Sequence, residues 1–166
     1  MENDFLEKIS EMINHAIIAY EELLELYIEK KEAILKPDKD MLASVDEKII
    51  SHVQTIKGLN EKREEYCKLN GIETVKITEL IELAKREKPG FEDELEKQKV
   101  KICEVADKIA LIDRTNVELI RHNLTMSDKL LDIIISAAMP QKDNYDMHGK
   151  NVDKSELSIS SIVEDA

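Results

Sequence analysis

Two cysteines, four histidines and 36 carboxylates are the groups with which this chain could do chemistry. Cys67 and Cys103 belong to no C-x-x-C pair, and no histidine stands at metal-ligand spacing from either. A catalytic thiol needs a fixed histidine and an electropositive setting, and neither is indicated. The two could lie toward one end of an antiparallel helix pair and form a disulfide, but in a cytosolic protein free thiols are expected. His15, His52, His122 and His148 are scattered. A di-iron bundle needs Glu-x-x-His on two helices, whereas Glu118-Leu-Ile-Arg-His122 has the wrong spacing and no second copy. His15 beside Ala16 is a weak candidate for a phosphotransfer histidine and has no lysine nearby. The glycines Gly58, Gly71, Gly90 and Gly149 are isolated, so no phosphate-cradling loop can be drawn. The expectation is a protein with no catalytic residues, no metal and no cofactor.

What remains is a polar pair of another kind. Ile102, Val105, Ile109, Ile112, Asn116, Leu119, Asn123, Met126, Leu130, Ile133 and Ala137 follow one another at alternating steps of three and four. That is the seam of a coiled coil, and Asn116 and Asn123 lie in it one heptad apart. A buried amide costs stability unless it is hydrogen-bonded. The pair therefore either sets register within a bundle or helps define a protein-binding helix.

The elements that carry this row are helices. The chain is 42% hydrophobic and 36% charged, with no Trp and few Gly or Pro, a mix that points to long helices rather than sheet. Pro37 ends a first helix from about Asn3, with an inward row of Ile9, Ile13, Ala16, Tyr20, Leu23, Tyr27, Lys30 and Ile34. A second stripe (Phe5, Met12, Leu24, Ile28, Leu35) suits a helix with more than one neighbour. Asp38 or Asp40 can cap a second helix that reaches Asn70, with Gly71 as its left-handed stop. Its row holds Leu42, Val45, Ile49, His52, Ile56, Leu59, Arg63 and Tyr66, and the short connector makes it the antiparallel partner of the first. Thr78 can cap a short helix that Pro89-Gly90 stops, and the final helix runs from about Phe91 to Ala138 before Pro140. The fold class expected is all-α: a long antiparallel helical hairpin, a short helix, and a longer final helix. The helical domain is placed at 1–139, with a flexible tail at 140–166. Within that tail Leu157, Ile159, Ile162 and Val163 could form an apolar face on binding, or the tail could simply solubilise.

A net charge of -12 argues against nucleic acid and anionic lipid as partners. No apolar run approaches a bilayer span and residues 1–30 lack a signal-peptide core, so a cytoplasmic protein without membrane insertion is expected.

The succession of elements resembles the FlgN family. Leu23-Leu24-Glu-Leu26 followed by Glu29 and Glu32-Ala-Ile-Leu is similar to the family's opening helix. Lys48-Ile-Ile, Leu59-Asn-Glu-Lys-Arg63 and Asn70-Gly71 are similar to its second, and Thr78-Glu-Leu-Ile-Glu-Leu-Ala84 to its short one. Asn116-Val-Glu-Leu-Ile120, with Asn123 after it, looks like the asparagine-bearing stretch of its last helix. Tyr145-Asp-Met-His-Gly149 resembles the start of its variable tail. The resemblance implies a cytosolic bacterial chaperone of flagellar type III export. Such a chaperone binds the hook-associated proteins FlgK and FlgL through their C-terminal helical segments, blocks their premature assembly and delivers them to the export apparatus. Recognition would then fall on about residues 126–166: Met126, Leu130, Ile133, Ile134 and Met139 as groove material, with Tyr145, Leu157, Ile159, Ile162 and Val163 from the tail. The alternative is a coiled-coil tether that only oligomerises.

Overall fold

The structure is a computed structural model that describes residues 4–36, 38–72 and 76–138. Four helices follow in order: α1 (Phe5–Leu35), α2 (Lys39–Leu69), α3 (Ile77–Glu87) and α4 (Glu92–Ala138). The all-α expectation holds, as does the order of long, long, short and longest. Pro37 and Pro140, on which the sequence reading placed two boundaries, lie outside the described residues. The chain divides into two units, Met1–Leu124 and Thr125–Ala166, with the boundary inside α4.

Within the first unit, local chemistry sets the helix ends. The Asp38 carboxylate accepts the backbone N–H of Met41 at 2.9 Å, filling one of the orphan donors at the start of α2. At its other end Gly71 takes φ +74, a backbone conformation that side chains disfavour. The Ile72 N–H then bonds the Cys67 carbonyl at 2.9 Å and the Gly71 N–H bonds that of Lys68 at 3.0 Å. This is the Schellman closure, and Ile72 packs on the core that contains Cys67. Thr78 is corrected: α3 is capped by Lys76, whose carbonyl accepts from Glu79 and Leu80, and Thr78 is exposed inside the first turn. The helix starts one residue before the hydroxyl that could have capped it.

α1 is the shared strut. α2 runs antiparallel to it: Lys30 pairs with Asp46 at 2.8 Å, the His52 ring reaches the Ala19 carbonyl, and Phe5 stacks on Tyr66 with centroids 5.6 Å apart. α4 runs parallel to α1, since Ser10 meets Gln98 and Tyr27 meets Asn116. Two hydrophobic cores result. The first joins Phe5, Leu6, Ile9 and Ile13 to Cys67, to Leu80, Ile81 and Ala84 of α3, and to Leu95. The second joins Ala19 and Leu23 to Val45, Ile49 and Ile56, with Ile109 of α4 against them.

Two polar breaks in the α2 row now have an account. His52 Nε2 lies 2.9 Å from the Ala19 carbonyl and 3.2 Å from a Glu22 carboxylate oxygen, both acceptors, so that nitrogen carries the proton. Arg63 is half-buried, its Nε has no hydrogen-bond partner among the described residues, and burial draws its pKa below the usual guanidinium range.

Candidate functional site

No residue of the described bundle assembles a reaction centre. Cys67 is fully buried and burial pushes its thiol pKa up, which keeps it neutral and unreactive; Cys103 is exposed, and neither is in a disulfide. Among the described residues no group of three or more His, Cys, Asp or Glu could hold a metal ion. A shallow groove between α1 and α2 is floored by Leu26 and rimmed by Glu22, Glu25, Glu29 and Glu47. His52 and Lys48 already engage two of those carboxylates, Lys48 reaching Glu29 at 3.5 Å. The groove is a solvated acidic surface.

The α4 row is the feature with unused capacity. Between Phe91 and Ala138 there is no Gly or Pro to break the ladder, so one helix of 47 residues forms. Its early part is held against α1 by two polar pins. The Gln98 amide donates to the Ser10 hydroxyl at 2.8 Å and to the Ser10 carbonyl at 3.1 Å, while the Ser10 hydroxyl donates to Glu94 at 2.5 Å. Farther along, the Asn116 amide donates to the Tyr27 carbonyl at 3.1 Å. Asn116 is 1% exposed and its own oxygen has no hydrogen-bond partner among the described residues. Its side chain is thus turned into the bundle, against α1. Asn123 is exposed, so the two asparagines of the row do not share an environment.

In the second unit the row is exposed: every residue from Thr125 to Ile134 is exposed, and Ile135 is half-buried. Met126, Leu130, Ile133 and Ile134 are 45%, 56%, 64% and 62% exposed, and one helix brings these four sequence-derived candidates to one side. Leu131, 55% exposed, belongs with them and was missed by the sequence reading because it stands off the three-four row. A count of apolar residues around the whole circumference would have found it. Tyr145, Leu157, Ile159, Ile162 and Val163, and Met139 with them, lie outside the described residues.

Large apolar side chains exposed at helical spacing make a surface of the kind on which amphipathic helices pack. The chain belongs to the FlgN family, whose model, described as FlgN protein, matches residues 1–153. It is thus a non-enzymatic chaperone of flagellar export, from a family that generally partners hook-associated proteins. The match includes Tyr145 and stops short of Leu157, Ile159, Ile162 and Val163. No match is found among curated proteins, and none among solved structures. Among the described residues no helix is long and apolar enough to cross a membrane.

Proposed function

We propose that this chaperone holds FlgK and FlgL in the cytoplasm by their C-terminal helical segments, blocks their premature assembly and delivers them to the export apparatus. The observation that carries the reading is the exposed stripe Met126, Leu130, Ile133 and Ile134. Large apolar side chains at helical spacing are costly to leave in water, and covering the exposed parts of these four is worth on the order of 4 kcal/mol before ordering costs. Asn123, exposed at the upstream end of the same row, would lie within the contact face. Tyr145, Leu157, Ile159, Ile162 and Val163 would add a clasp that orders only on contact, which suits a chaperone that must release its cargo.

The test is a calorimetric titration of the full chain with intact, monomeric hook-associated protein from the same organism. Micromolar or tighter binding, lost in the Leu130→Asp/Ile133→Asp double variant, is expected. Deleting residues 141–166 should weaken the complex; unchanged affinity would remove the tail from the mechanism. A chain that binds neither FlgK nor FlgL, yet forms a stable long oligomer, would be a tether.

A further inference from the structure

The second unit carries two apolar features. One is the stripe on α4, where Met126, Leu130, Leu131, Ile133 and Ile134 are 45% to 64% exposed. An apolar surface of this kind, left open while no partner is bound, is an aggregation hazard. The other is the tail cluster Leu157, Ile159, Ile162 and Val163. Within it Ile159, Ile162 and Val163 stand at i, i+3 and i+4, the spacing of one helical face. The family match ends at residue 153, before this cluster begins.

Reach and charge both favour a return of the tail onto the stripe. From Ala138 back to Met126 is about 18 Å along α4 at the helical rise. Residues 139–156 extend to about 60 Å at most, enough to reverse direction and bring the cluster alongside. A segment tethered so closely meets the stripe at an effective concentration on the order of millimolar, ahead of any partner in solution. Charge sets the direction. α4 has no basic residue in its last turn, so its negative end is not compensated by its own side chains. Only acidic charge, Glu164 and Asp165, follows the cluster, while Lys150 and Lys154 precede it among Asp153 and Glu156. Laid antiparallel to α4, the segment carries Glu164 and Asp165 away from that end and toward Lys129. Laid parallel, it would press them against it.

We infer that in the cargo-free chain residues 157–163 lie back over the α4 stripe, antiparallel to it, and that cargo takes the stripe by displacing them. The inference rests on the reading that a hook-associated protein docks here, and it adds what covers the surface beforehand. The tail cluster then has two partners in turn, the stripe of its own chain and afterwards the cargo.

The experiment compares the full chain, the full-length Ile159→Asp/Ile162→Asp variant and a chain lacking residues 155–166. Each is methyl-labelled at Met, Leu and Ile and exposed to a soluble paramagnetic agent that broadens methyl signals open to water. The expected result is that the methyls of Met126, Leu130, Ile133 and Ile134 are shielded in the full chain at every protein concentration and broadened in the other two. In stopped flow, intact monomeric hook-associated protein should associate on the order of fivefold faster with the shortened chain, as for a site covered most of the time. The complex should then also dissociate sooner, for want of the clasp. Lys129→Glu should lose part of the shielding; full shielding there overturns the antiparallel setting. Equal broadening in all three chains overturns the cover, and if cargo still shields the stripe it leaves the chaperone reading standing. Shielding that persists in both altered chains overturns it too, as does shielding that fades on dilution, which assigns the stripe to a second copy. A tail-dependent shield that hook-associated protein never displaces removes the docking reading, and with it the exchange inferred here.

Discussion

One heptad row serves two ends of the same helix differently. Val105 and Asn116 are 3% and 1% exposed, while Leu130 and Ile133 on the same row are 56% and 64% exposed. The residue types do not change along the row; what changes is the neighbour. A three-four pattern therefore reports that a helix requires a partner without reporting whose. In the first unit the partner is α1 of the same chain; for the second, the proposal is the cargo.

The sharpest way to break this comparison is to truncate one side chain from each region. Leu95→Ala, at a fully buried position among all four helices, should lower the unfolding free energy by about 2–5 kcal/mol in urea titrations. Ile133→Ala should change it by less than about 0.5 kcal/mol. Equal losses would mean that the two regions are equally buried in solution.

Next in size is the converse effect on binding. Leu130→Ala/Ile133→Ala should cost about 2 kcal/mol of affinity for a hook-associated protein, read by calorimetry, with the melting temperature unmoved.

The two asparagines sharpen the contrast at a smaller scale. Asn116→Ala leaves the Tyr27 carbonyl without its amide donor and should cost about 1–2 kcal/mol of stability. Asn123→Ala, at an exposed site, should stay within about 0.5 kcal/mol in the same denaturation series.

The smallest effect is alkaline. Burial raises the Cys67 thiol above its ordinary 9.0, so the folded state holds that proton more tightly than the unfolded state does. The stability linked to this group is complete below about pH 9 and drains away as pH climbs through the raised native value. A Cys67→Ala chain should show a flatter decline in that range than the parent. A parallel decline would place the linkage elsewhere.

Much of the bundle was legible because its signals are local. Asp38, Gly71 and the rows of α1 and α2 are set by spacing and by turn chemistry within a few residues, and the structure has them where periodicity puts them, except that Leu35 of the second α1 stripe, at the helix's last turn, is 58% exposed. Thr78 failed as a cap because a hydroxyl near a helix start is permissive, whereas the actual start was decided by Leu80, Ile81 and Ala84 burying against the first core. The pairing of Ser10 with Gln98 crosses most of the chain and carries no periodic signature, so the parallel setting of α4 on α1 could not be read. His52 had the same difficulty: its partners Ala19 and Glu22 belong to another helix. At the candidate site, Met126, Leu130, Ile133 and Ile134 were legible as a stripe. Leu131 was not, since the row itself defined the search.

The two pins on α1 are not equivalent. Asn116 has a twin, because Asn123 stands one heptad further on and would meet the same Tyr27 carbonyl if α4 slid by seven residues. Gln98 has none: the same slide would bring Val105 opposite Ser10. Asparagine alone is a repeating tooth on this rack. The glutamine is the key cut that admits a single setting, and through it one buried amide near the start of α4 decides how much of the helix is spent on the bundle and how much is left to offer.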